Sequence, residues 1–210
     1  MVRILTIQCS GRCTRCRFVC MVAGSHLCTQ TAPEYNAADW GVRQKVSSRR
    51  EYQSMKISGI TNISDIFNIF HDGSIRKHEY VDSDLILQID IQYLAERIHK
   101  KYTTFSLHLI ALEMVVLEPW YDDHDKKEPH VKIIREIFSP ELEILSSEVT
   151  ESVISISCSQ SQPGYGYCGG FLKLEVAEAT VQDEGGEYLS LEQLRNISSS
   201  YWKEWSEKNA

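Results

Sequence analysis

The stretch from Tyr80 to Ile91 constrains the fold more than any other. Leu85, Leu87, Ile89 and Ile91 alternate with Ile86, Gln88 and Asp90. A period of two places the first four on one face of an extended strand. The preceding Tyr80-Val81-Asp82-Ser83-Asp84 is turn-rich, and Ser74 to Val81 before it reads as another strand. So short a connection requires antiparallel neighbours, a β-hairpin. Further strands are expected from Phe105 to Leu117, ended by Glu118-Pro119, and at Leu142–Leu145, Val153–Cys158 and Phe171–Val181. Trp120–Pro129 and Ser159–Gly170 read as loops, and Asp183-Glu184-Gly185-Gly186 as a turn. Ile63–Phe70 suits a short helix or an entry turn, while periodicity leaves helix and strand open for Tyr93–Ile98 and Val131–Phe138. At His71-Asp72-Gly73 the pattern breaks, with Gly73 the residue able to take a positive φ.

The C-terminal element has a different period. Ser190-Leu191-Glu192-Gln193 fits a capping box, and Leu191, Leu194, Ile197, Tyr201 and Trp205 recur every three or four residues. On the opposite side Lys203, Glu204 and Lys208 face water. The expected fold is α+β, mainly antiparallel β, either a sandwich or a partly open barrel, with an amphipathic helix over 190–207.

Charge and cysteine divide the 210 residues near Ser54–Met55. Residues 1–54 carry eight Lys and Arg against three Asp and Glu, a balance of +5; residues 55–210 carry fourteen against twenty-six, −12, which together give the chain's −7. Five of seven cysteines (Cys9, Cys13, Cys16, Cys20, Cys28) fall in the first part. Three readings of that part follow. Cys9-x3-Cys13-x2-Cys16 has the spacing of three thiolates on an iron–sulfur cluster, but no alternation of strand and helix follows it; Cys13, Cys16, Cys20, Cys28 or His26 could hold zinc, but without a second CxxC pair. Phe18 to Ser25 approximates the apolar core of a secretory signal, interrupted by arginines upstream. We read residues 1–54 instead as a non-native or disordered extension from a start assigned too far upstream. Met55-Lys56-Ile57 opens the patterned sequence, and Arg49-Arg50-Glu51 can be encoded by a purine-rich string like a ribosome-binding site.

Residues 55–210 suffice for one β-rich domain, since a chain of this size buries roughly 68–70% of its unfolded surface. No apolar run approaches the roughly 18 residues of a spanning helix. The acidic balance argues against a nucleic-acid partner. Cys158 and Cys168, in a low-cysteine acidic body, read as cytoplasmic thiols, although Pro163-Gly164 between them would permit a bridge.

Candidate binding residues form three groups. His71 and Asp72 pair an imidazole with a carboxylate, able in principle to ligate a metal or move a proton; the alternative is a turn at Asp72-Gly73 in which His71 caps backbone groups or packs under Trp or Tyr. Trp120, Tyr121, Asp122 and Asp123 set aromatics beside acids, as in a protein-binding hot spot where rings anchor and carboxylates steer a basic partner. Tyr165 and Tyr167 lie among glycines and could form a binding tip. No GxSxG, P-loop, EF-hand or HExxH pattern is present, so no catalytic residue is assigned and no cofactor is expected. The alternative is a metal-dependent hydrolase with ligands from His71, Asp72, Asp123, His124 and His130.

Phe70-His71-Asp72-Gly73-Ser74-Ile75 resembles the opening of small uncharacterised bacterial β-rich proteins, some grouped with immunity proteins of polymorphic toxin systems. The resemblance extends over the hairpin that follows and, more loosely, the Asp-Glu-Gly-Gly turn and last helix. It implies a β-rich domain entered through that tetrapeptide and supplies no catalytic assignment. With the acidic body, it leads us to expect a non-catalytic interaction domain, immunity-protein-like, whose partner has a basic surface and is a toxin in the sharpest form of the reading.

Overall fold

A computed structural model describes residues 55–121 and 130–209. The readings of residues 1–54, and of Asp122, Asp123 and His124, lie outside these. In chain order the elements are β1 (Ile57–Ser58), α1 (Ile60–Ile69), β2 (Ser74–Val81), β3 (Asp84–Asp90), α2 (Gln92–Ala95), β4 (Thr104–Ile110), β5 (Met114–Tyr121), α3 (Ile134–Ile137), β6 (Leu142–Thr150), β7 (Val153–Ser159), β8 (Tyr167–Glu175), β9 (Glu178–Asp183), β10 (Tyr188–Leu189) and α4 (Leu191–Asn209).

All strand pairs are antiparallel, in the order β1-β9-β4-β3-β2-β6-β7-β8-β5, with β10 also on β9. The sheet is open, not a closed barrel. The hairpin falls as its pattern requires: Val81 faces Asp84 across Asp82-Ser83, and Asp82 takes φ 58°, a conformation aspartate tolerates. Leu85, Leu87 and Ile89 are fully buried.

Two long apolar runs depart from expectation. Phe105–Leu117 is two strands, because Ala111 adopts φ 53° and turns the chain. Phe171–Val181 also breaks, at Val176–Ala177. The breaks coincide. β4 pairs with β9 from Phe105↔Asp183 to Ile110↔Glu178, and the ladder resumes with β5 on β8 from Met114↔Glu175 to Tyr121↔Tyr167. Each run is thus one strand bent at a shared corner, the way strands pass between layers of a packed sheet. Periodicity missed the corner because Ala111 and Ala177 carry no turn signature. At the other end β2 and β6 meet only over Ser74↔Glu143 and Ile75↔Leu142, and both strands shift register just beyond. The buried faces of the two halves merge into one cluster, with α1 contributing Ile63, Ile66, Phe67 and Ile69.

Glu118-Pro119 does not end its strand. β5 is an edge strand, and Leu117 turns its N–H and C=O outward to Val131, 2.9 Å each way. Pro119, two residues on, shares that outward side, where its missing N–H leaves no gap in the ladder. Trp120 and Tyr121 therefore belong to β5, and the loop expected over 159–170 shortens, because β8 begins at Tyr167. Tyr93–Ile98 forms the single turn α2 followed by turns, and Val131–Phe138 a bridge followed by α3.

The capping box is present: Gln193 N–H donates to Ser190 Oγ at 3.2 Å, and Ser190 N–H to Gln193 Oε1 at 2.8 Å. Leu194 is buried and Leu191, Ile197 and Tyr201 partly so, but Trp205 is 51% exposed, so the expected core stripe leaves the core before its end. The helix runs two residues past the expected end, and Glu204, expected to face water alone, binds Arg97.

Candidate functional site

Phe-His-Asp-Gly forms the joint between α1 and both halves of the sheet. Phe70 is fully buried against Phe105, centroids 5.1 Å apart. Asp72, not Gly73, takes the positive φ, at 64°. Gly73 is needed for space: a Cβ there would lie 2.8 Å from Phe70 O and 2.9 Å from Ile89 Cγ2. Asp72 N–H donates to Ile144 O at 2.8 Å and Ile144 N–H to Gly73 O at 2.9 Å, which continues the short β2–β6 seam.

His71 leaves this joint toward α4. Its ring lies 4.9 Å from that of Trp202, tilted by 41°. Tyr93 Oη donates to His71 O at 2.8 Å, and the Tyr93 ring stacks 4.4 Å from Tyr201. Burial, with the charge of Asp72 adding to it, raises the Tyr93 hydroxyl well above its ordinary pKa. Trp202 and Trp205 meet edge-on at 5.8 Å. Arg97 sits 5.5 Å above Tyr201 and grips Glu204 through both Nη atoms, at 2.6 and 2.8 Å. His71 thus packs beneath a tryptophan, as its structural alternative had it. Its Nε2 is 3.4 Å from Asp72 Oδ2 because the positive φ curls the backbone, although neighbours on an extended chain would point apart.

The other candidates gather on the far side of the β5–β8 ladder. Tyr121 is paired with Tyr167, ring centroids 6.1 Å apart. Tyr165 lies 5.9 Å from Tyr167, its hydroxyl sharing a 2.8 Å hydrogen bond with Ser139 Oγ. Trp120 meets Phe171 edge-on at 5.2 Å and covers Gly169, where a Cβ would lie 2.9 Å from the indole and 2.2 Å from Cys158 O. Gly169 is a seat for the tryptophan, the close approach that glycine in a strand permits. Trp120, Tyr121, Tyr165 and Tyr167 are all partly exposed. Desolvation, then its tyrosine neighbours, raises the Tyr167 hydroxyl. Charge flanks the rings: Glu118 accepts from Lys173 Nζ at 2.7 Å and has His130 Nε2 at 3.6 Å.

Two segments far apart in sequence are therefore one aromatic surface, which sequence reading treated separately. It did not find Phe171 as a partner of Trp120, or the group Tyr93, Tyr201 and Trp202. Gly169-Gly170, read there as the end of a loop but directly preceding the apolar run from Phe171, was the available signal for the first. For the second, Trp202 and Trp205 three residues apart were the signal, masked by taking Tyr201 and Trp205 as one core stripe.

Among the described residues no group of three or more His, Cys, Asp or Glu could hold a metal ion. His71 is beside Asp72 and His130 beside Glu118. Cys158 and Cys168 are both free; burial raises the Cys158 thiol to about 12, and Cys168 is exposed. No helix among the described residues is long and apolar enough to cross a membrane. Compared with family models, curated proteins and solved structures, the chain matches none.

Proposed function

We propose that this chain is a non-catalytic protein-interaction domain of the immunity type, and that its contact surface is the aromatic group on the β5–β8 edge. The observation that supports this reading is the Tyr121↔Tyr167 register, which pairs two partly exposed rings across the β5–β8 ladder and brings Tyr165, just before β8, against them. Large rings in fixed positions bury much area at little entropic cost, so a few of them dominate many protein interfaces. Asp122 and Asp123 follow Tyr121 directly in sequence, within a body of charge −12. Such a surface favours a basic partner, with fast, salt-dependent association. A nucleic-acid-cleaving toxin with a basic cleft is the partner of choice.

The test is protection in cells. The chain is co-expressed with toxins encoded beside its gene, alongside a Tyr121→Ser/Tyr165→Ser variant shown to fold by its thermal transition. The reading expects rescue by the parent chain and at least a tenfold loss of survival with the variant, roughly the effect of removing one hot-spot ring. Absence of rescue from every neighbouring gene product, or equal rescue by the variant, contradicts it.

A further inference from the structure

The outer face of β2, β3, β4 and β9 takes no part in the β5–β8 surface. Leu87, Leu107 and Val181 point into the core from β3, β4 and β9 and are fully buried. By the period of two, their neighbours Gln88, Ser106 and Gln182 point the other way. The register sets these in one row across the strands: Lys77↔Gln88, Gln88↔Ser106 and Ser106↔Gln182. Tyr188 on β10 pairs with Gln182 and extends the row. Four steps between neighbouring strands give it a length of about 19 Å.

A cleft of about 470 Å³ lies over the row, lined by Lys77, Gln88, Ser106 and Gln182 among others. That is the size of a small-ligand pocket. Half-buried polar side chains with a purely structural role bond to one another. Here they do not. Among the described residues, the side chains of Lys77, Ser106 and Gln182 have no hydrogen bond or ion pair, and Gln88 makes one long bond, 3.4 Å to Thr104 Oγ1. Two amides, a hydroxyl and an ammonium thus keep their bonding capacity for whatever enters the cleft.

The chemistry of the row narrows the ligand. One cation is too few for a phosphate backbone, which is held by several. Peptide grooves add pockets for alternate side chains, whereas the one aliphatic residue lining this cleft is Ile86. Amides and hydroxyls each donate and accept, as sugar hydroxyls do. A tyrosine at the end of the row supplies the apolar ring on which sugar C–H groups stack.

We propose that this row is a binding site for a linear, uncharged oligosaccharide laid across the strands from Lys77 to Tyr188. Lys77, Gln88, Ser106 and Gln182 hydrogen-bond its hydroxyls, and Tyr188 stacks on the sugar ring at one end. The site goes beyond the protein-interaction reading and shares no residue with the Tyr121–Tyr167 surface, so the two fail separately.

The probes are cellohexaose, N-acetylchitohexaose and maltohexaose, titrated against the full chain. The readouts are calorimetric affinity and the NMR signals of the glutamine side-chain amides. At least one hexasaccharide is expected to bind and to move the Gln88 and Gln182 signals, with an affinity that changes less than about twofold from low to high salt, because no charge is neutralised. Gln88→Ala/Gln182→Ala, shown to fold by its thermal transition, is expected to weaken binding about tenfold, the combined effect of two lost hydrogen bonds. Glu148→Gln/Glu151→Gln, on the β6–β7 hairpin, should leave affinity unchanged. Failure of all three sugars to bind, or binding that survives the double glutamine variant or disappears with salt, overturns the proposal.

Discussion

The His71 imidazole rests against the Trp202 indole, ring centroids 4.9 Å apart, and so ties the entry to the first long strand to the last helix. That contact gives the histidine a packing role. His71→Phe should therefore keep the thermal midpoint within a few degrees, and His71→Ala should lower stability by about 1 kcal/mol, the usual worth of one such ring pair. Chemical denaturation measures both; equal losses in the two variants would count against packing as the role.

Gly73 is fixed by space and Asp72 by conformation. Gly73→Ala should cost about 2 kcal/mol, because the methyl would meet Phe70 O and Ile89 Cγ2 inside van der Waals distance. Asp72→Gly, at φ 64°, should leave stability unchanged or raise it by up to about 1 kcal/mol, since glycine adopts that φ freely. In urea melts the midpoint of Gly73→Ala should fall and that of Asp72→Gly should hold or rise; an equal fall in both would contradict this division of roles.

The two thiols of the body should differ sharply in reactivity. Cys168 is exposed, while Cys158 is buried and its pKa pushed up to about 12, so at neutral pH it carries almost no thiolate. Brief alkylation of native protein followed by peptide mass mapping should show Cys168 modified and Cys158 protected until denaturant is added. Equal labelling would mean that the β7 face is open.

Acid should loosen the β3–β4–β9 region. Asp84 is held below its ordinary 3.8 by the Ala111 N–H and by His108, and Glu184 below its ordinary 4.5 by the Thr103 and Thr104 N–H groups. A depressed carboxylate pKa gives stability that is present above the unfolded value and lost as pH falls through the folded one. Stability should thus hold down to about pH 4.5 and decline below it, with a shallower decline in Glu184→Gln. A midpoint that falls equally in both between pH 7 and 5 would contradict the assignment.

Ser190→Ala removes one half of a reciprocal cap, so it should cost about 1 kcal/mol and fray the start of α4. Hydrogen exchange at Gln193 reads this locally; unchanged protection there would exclude the cap as a source of stability.

The parts of the fold that were legible in sequence rest on local signals. Leu85 to Ile91 alternates, Asp82-Ser83 turns, and Ser190 with Gln193 caps; each involves neighbours a few residues apart. What was hidden depends on distant pairing. The corner at Ala111 exists because Asp84 Oδ1 accepts the Ala111 N–H at 2.8 Å and the Leu112 N–H reaches Ser83 O at 2.7 Å, contacts across 27 and 29 residues. Tyr121 and Tyr167 are likewise neighbours only through the ladder register. The aromatic residues of the candidate surface were recognisable one by one, but their assembly was not.

Site-specific photo-crosslinking shows whether the β5–β8 aromatic surface meets a basic protein. A benzophenone amino acid replaces Tyr165 in the full chain, and Glu148 on β6 in a control, in cells that also express the proposed partner, a toxin encoded beside the gene. The account predicts a toxin adduct from position 165, absent from position 148 and diminished when Tyr121 is changed to Ser. Adducts of equal yield at both positions, or none at 165 while protection persists, would contradict it.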